Sequence, residues 1–234
     1  MPAQLGKQAL LDAAAALMDA RGVDNVTLLD IREASGHRNR SAVQYHFGDH
    51  DGVVRAVIKQ TMDPIDAERN ALLDHLEQSS TPLTPRSVVE VLVGPLGRQL
   101  RTPQGRQYLR LCAQLINHPR FMNDARDAVA LTTSVPRCAR HLAPTLNELP
   151  PPIAAERARQ ALALGIRACG DQARLIDTPN SPAPVLPTDE FITNLVDTIL
   201  AILQAPTSIK PTPNVNQPAP RPARQRARRP TTKP

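Results

Sequence analysis

The 234 residues include no tryptophan, two tyrosines and three phenylalanines. So few rings argue against a sandwich, whose faces are rich in aromatic and β-branched side chains. No alternating apolar–polar run of strand type stands out either. No stretch of 18 apolar residues occurs, which excludes a membrane-spanning helix. The N-terminal "MPAQLGKQALLDAAAALMDARG" carries acids inside its apolar part and lacks a signal-peptide layout. The expectation is a cytoplasmic protein with no membrane partner. Cysteine is scarce and odd in number: Cys112, Cys138 and Cys169 lie far apart, with no metal-type spacing to one another or to histidine. They read as small buried core residues rather than redox-sensing thiols. His75, His118 and His141 are scattered and read as ordinary surface or core histidines. There is no phosphate-binding glycine loop and no nucleophile–base pairing, so an enzyme is not expected. No cofactor and no metal are expected.

What is present is leucine, alanine, valine and isoleucine, within a 41% apolar content. Such a core favours packed helices. The net charge of +6 is misleading as a whole. From Ala205 onward the chain is "APTSIKPTPNVNQPAPRPARQRARRPTTKP", with seven of the 28 basic residues and no acid. The body before it is therefore close to neutral. This Pro/Arg-rich tail has too little apolar surface to offset its ordering entropy, and it is expected to be disordered.

Helical punctuation organises the body. A first helix is expected over 4–21, with Leu10, Ala13, Ala14 and Leu17 on its inner face, ended by Gly22. A second, about 27–35, starts at Thr27 with Asp30 as capping-box partner and buries Leu28 and Ile31 with Val23 and Val26. Gly36 supplies the turn. A third helix, 40–47, is capped by Asn39 and turns Ala42, Val43 and Phe47 inward. Asp49 caps a long helix over 50–78, bent near Pro64. "TP" at Thr84-Pro85 and Thr102-Pro103 places an N-cap before a first-turn proline, starting helices over 85–100, kinked by Pro95, and 103–117. Further helices are expected over 120–143, disturbed at Pro136, then 153–176 and 188–204, with "LAPTLNELPPP" as a loop. The last helix is apolar on more than one side and must be buried in its own core or against another subunit.

The second helix, tight turn and third helix make a helix-turn-helix candidate. The stretch "RNRSAVQYHFGDH" places two of the five aromatics beside basic and amide groups. Arg38 and Arg40 suit phosphates or guanine, Gln44 suits adenine, and Ser41 suits several bases. Tyr45 and His46 suit backbone oxygens. The plainer reading is an ordinary polar surface helix.

Residues 8–58 resemble the tetracycline-repressor (TetR) family of bacterial transcription regulators. The resemblance is carried by an alanine-rich first helix ending "ARG", by "VTLLDIREASG" and by "YHFGDHDGVVRAVI". His46 falls on the family histidine and Tyr45 on its second aromatic. Gln44 replaces the first tyrosine, His50 stands where a lysine usually contacts phosphate, and one extra residue lies between Ile31 and Asn39. The resemblance implies an all-α fold: an N-terminal three-helix helix-turn-helix domain, residues 1–58, plus a helical C-terminal ligand-binding and dimerisation domain, residues 59–204, before the tail of 205–234. It implies a homodimeric regulator, most simply a repressor, of a pseudo-palindromic double-stranded DNA operator, released by a small-molecule inducer. DNA contacts are then expected from Thr27, Arg38, Asn39, Arg40, Ser41, Gln44, Tyr45, His46 and His50. Tyr108, Cys112, Phe121 and Met122 are pocket candidates, although plain core is the commoner role for such residues. Leu162, Ile166, Phe191, Ile192, Leu195 and Ile199 are candidates for the dimer interface. The competing reading is a nucleoid-type protein binding nucleic acid non-specifically through its basic tail.

Overall fold

The computed structural model describes residues 2–37, 42–116, 118, 120, 132–180 and 184–209, which form helices and turns only. Helix α1 spans Pro2–Arg21, α2 Leu28–Ala34, α3 Ala42–Phe47 and α4 His50–Gln78. Next come α5, Pro85–Gly97, and α6, Pro103–Leu115. The described residues close with α7, Ser134–Leu146, α8, Pro151–Asp177, and α9, Thr188–Gln204. Short 3₁₀ turns at Val23–Asn25 and Arg98–Arg101 join α1 to α2 and α5 to α6.

Local signals account for most of these boundaries. Thr27 and Thr84 each close a reciprocal capping box, and Thr102 accepts the N–H of Gly105. Asp49 accepts the N–H of Gly52 at 2.7 Å and starts α4 where the sequence places it. Each such cap is worth about 1 kcal/mol.

Two apolar cores result. The first joins Leu10, Ala14 and Met18 of α1 to Ile31, Val43 and Val53. The second joins α5, α8 and α9 around Leu100, Leu109 and Val196. Helix α4 runs through both: Val53, Val54 and Val57 belong to the first, Ile65 and Leu73 to the second. Helix α6 does the same across its width, with Leu111 and Leu115 in the first core and Tyr108 and Leu109 in the second.

Some expectations are corrected. On α1 the buried face is Leu10, Leu11, Ala14 and Met18, while Ala13 and Leu17 are half-buried. The helix packs against α2, α4 and α6 together, so its inner face is wider than one stripe. The helix expected over 120–143 begins only at Ser134, so Pro136 falls in its first turn, where proline is tolerated. Its start is fixed from outside: Asp66 on α4 accepts the N–H groups of Thr133 at 3.0 Å and Ser134 at 2.8 Å. Most of "LAPTLNELPPP" is helical as well, since α7 runs to Leu146 and α8 begins at Pro151. Helix α5 stops at Gly97 and gives way to a 3₁₀ turn two residues after buried Pro95. The tail beyond Ile209 lies outside the described residues.

Candidate nucleic-acid interface and internal cavity

Helices α2 and α3 are set on the first core by few anchors. Ile31 is fully buried and Val43 is 2% exposed. Thr27 is an N-cap: its N–H donates to Asp30 at 2.8 Å and its hydroxyl accepts the Asp30 N–H at 3.2 Å. The Thr27 side chain and backbone, with Arg21 beyond, hold the Asp30 carboxyl below the usual range. At the other end of α2, Gly36 has φ +72°, a conformation that glycine adopts without strain. The His37 N–H returns to the Arg32 carbonyl at 3.2 Å, and the His37 ring nitrogen lies 3.1 Å from the Ser35 hydroxyl.

Helix α3 therefore presents one face outward. Gln44 is exposed, and Tyr45 is 84% exposed with its ring edge-on to His46, centroids 5.1 Å apart. Phe47 is half-buried against the core, and the Lys7 ammonium lies 5.7 Å from its ring centre. His46 sits between Tyr45 and Phe47, half-buried. The expected contacts Arg38, Asn39, Arg40 and Ser41 lie outside the described residues. His50 is turned toward the chain itself, Nε2 standing 3.1 Å from the Val23 carbonyl oxygen and Nδ1 3.6 Å from Asp51. That contact ties the start of α4 to the 3₁₀ turn after α1.

Between α4, α5, α6, α7, α8 and α9 lies a cavity of about 280 Å³, just under the roughly 300–1,000 Å³ typical of small-molecule sites. Its walls are almost wholly hydrocarbon: Met62, Leu92, Leu115, Leu142, Leu162 and Ile199 are representative. Cys112 lines it. Tyr108 does not; it is buried behind, beside the Cys112 thiol. Phe121 and Met122 lie outside the described residues. Burial pushes the Cys112 and Cys169 thiols up to about 12 and Cys138 to about 11, so all three are neutral at pH 7.

Of the six apolar candidates for the dimer interface, Phe191, Leu195 and Ile199 are buried, and Leu162, Ile166 and Ile192 are half-buried. Leu162, Ile166, Leu195 and Ile199 line the cavity. Phe191 is buried in the second core. Ile192 lies so close to Gly97 that a Cβ there would stand 2.5 Å from its Cγ1. The reason is the position of α9, which packs on α5 and α8 and roofs the cavity. Its outward face carries Glu190, Thr193, Asn194 and Asp197 instead.

Two features escaped sequence reasoning. Arg110 on α6 bonds Asp19 of α1 at 2.6 Å and also pairs with Asp177 at the end of α8. Arg69 is 5% exposed and lines the cavity. A signal for Arg69 existed: it follows Ile65 and precedes Leu73 at four-residue steps, an arginine inside an apolar helical stripe.

No family model matches the chain, and no curated protein does. Among solved structures, one from Mesorhizobium loti, of a protein assigned to the TetR family of transcriptional regulators, is similar with a TM-score of 0.44 and 13% identity, covering 86% of this chain and 98% of that one. The TetR family repressor AlkX from Dietzia sp., implicated in biodegradation of n-alkanes, is similar with a TM-score of 0.36 and 21% identity, covering 84% of this chain and 94% of that one.

Proposed function

We propose that the chain is a TetR-family transcription regulator: a homodimer that binds a pseudo-palindromic operator and is released by a small molecule held in the cavity. One observation supports this best. Helix α3 is anchored by Val43 and Phe47 and leaves Gln44 and Tyr45 outward, on a core completed by Leu111 and Leu115 of the cavity-lining helix α6. An exposed short helix of this kind fits a major groove, with Gln44 reading a base edge and Tyr45 and His46 reaching phosphates. Thr27, at the N-terminus of α2, offers a further backbone contact, and His50 positions α4 beneath it.

Ligand and DNA are coupled through α4 and α6, each of which has residues in both cores. Leu115 faces the cavity and belongs to the reading-head core. An occupant that fits better when α6 has shifted favours a dimer whose heads no longer match adjacent major grooves. The second copy would dock on the outward faces of α8 and α9, where Leu162, Ile166 and Ile192 are only half-buried.

Selection of duplexes from a random pool by the full chain tests this reading. The expected result is an inverted repeat whose half-sites are centred about one helical turn apart, roughly 10 base pairs. Uniform binding with a steep salt slope that disappears on removing residues 206–234 would instead support the nucleoid-type reading.

A further inference from the structure

Among the described residues, Arg69 is the one charged side chain buried deep in the apolar cavity, and few of its donors find a partner. Its Nη2 donates to the Leu92 carbonyl at 2.5 Å, the only hydrogen bond the guanidinium makes among the described residues. Its Nε is buried with no partner. A guanidinium has five N–H donors and keeps its proton in proteins. Holding it in a dry site without an anion is costly.

Among the described residues no acid bonds Arg69, although the ionised Asp66 carboxylate acts on it through space. Asp66, three residues earlier on α4, bonds the N–H groups of Thr133 and Ser134 and the Thr133 hydroxyl. Tyr108, Cys138 and Cys169 lie near Arg69, but burial keeps each protonated at neutral pH. Arg159, the other cation on the cavity wall, already pairs with Glu156 through two bonds of 2.6 and 2.8 Å. No acid lines the cavity among the described residues. A second polar atom there is also unused: the buried Thr132 Oγ1, on the cavity wall, has no partner. Thr132 immediately precedes the two residues held by Asp66, one helical turn from Arg69.

We infer that the cavity takes an amphipathic monoanion, a carboxylate on an apolar body, with its head bonded by Arg69 and Thr132 and its body among the aliphatic walls. This rests on the reading of the cavity as the effector site. A carboxylate matches one planar guanidinium in charge and fork geometry. A phosphate, with close to two charges, would leave one unpaired in hydrocarbon.

The test varies the head group on a constant body: octanoic acid, octan-1-ol and octylamine, with 4-tert-butylbenzoic acid and its alcohol as a bulkier pair. Binding to the full chain is read by calorimetry and thermal shift. At least one acid should bind more tightly than its alcohol by about tenfold or more, as expected for a charge-assisted bond, and the amine should not bind. Arg69→Met should erase that gap while the apolar body still binds, and its melting temperature should stay level or rise, because an unpaired buried charge has gone. Arg69→Lys, with the charge but not the fork, should show a reduced gap. Equal binding of acid and alcohol by the unaltered protein overturns the inference, as does binding of neither acid. Release of a selected duplex is measured separately. Acid binding with DNA affinity unchanged supports the acid site and sinks the inducer role. Equal binding of acid and alcohol with DNA released sinks the acid site and leaves the inducer role standing.

Discussion

Asp19 Oδ2 lies 2.6 Å from Arg110 Nη2, and Asp19 Oδ1 lies 3.0 Å from Nε of the same guanidinium. The two side chains are only 15% and 18% exposed, and they join α1 of the reading head to α6 of the cavity wall. Arg110 also reaches Asp177, and these carboxylates push its pKa above the ordinary arginine value, the Asp19 hydrogen bond most of all.

Asp19→Asn should destabilise the protein by about 1–3 kcal/mol, because it leaves a partly buried guanidinium half-paired. A double-mutant cycle with Arg110→Met in urea unfolding isolates the pair. A coupling energy indistinguishable from zero would remove it as the strap between head and cavity.

Gln44→Ala should leave the unfolding free energy within about 0.5 kcal/mol, since the side chain is exposed. It should relax discrimination at one operator position by about 1–3 kcal/mol. Tyr45→Phe, by contrast, should lower affinity evenly across sequences. Binding to a panel of singly substituted operators separates the two patterns, and an even loss with Gln44→Ala would reduce that residue to a backbone contact.

Gly170→Ala should cost about 1–3 kcal/mol, despite alanine's better helix propensity. A Cβ at this position would stand 2.4 Å from the Ala113 Cβ and 2.9 Å from the Leu109 carbonyl oxygen, forcing α6 and α8 apart. Gly165→Ala on the same helix is the control. Its Cβ would meet only Ile199 Cδ1 at 3.5 Å, so stability should hold or rise. Equal behaviour of the two in urea would mean that the α6–α8 approach is looser than described.

Asp66 should make stability fall in acid. Burial works to raise its pKa, but the N–H groups of Thr133 and Ser134 and the hydroxyl groups beside it outweigh that and hold it at about 2, against 3.8 unperturbed; of those hydroxyls, that of Thr133 bonds it at 2.8 Å. A depressed carboxylate stabilises the fold above its unfolded value and loses that contribution as pH falls through the folded one. The window is thus from about 4 down to about 2. Allowing for solvent screening, the contribution is roughly 1 kcal/mol. Comparing Asp66→Asn with the unaltered protein at pH 7 and pH 2.5 checks it: the difference in unfolding free energy should shrink at the lower pH.

The sequence by itself determined the elements whose ends are written locally. Caps at Thr27, Asp49, Thr84 and Thr102 fixed where α2, α4, α5 and α6 begin. Apolar spacing and the acids of its first turn placed α9 at Thr188–Gln204. The outward Gln44 and Tyr45 were legible too, because a six-residue helix held by Val43 and Phe47 has few ways to lie on a core. Tertiary structure alone decided what depends on residues far apart in the chain. Helix α7 begins where Asp66, 68 residues before Ser134, accepts its first N–H groups. Leu195 and Ile199 face a cavity because α9 fits between α5 and α8. Arg69 shares an apolar stripe with Ile65 and Leu73, but the packing of six helices makes it a cavity residue. Periodicity assigns a side chain to a face of its own helix, but only packing decides whether that face meets water, another helix or an empty space.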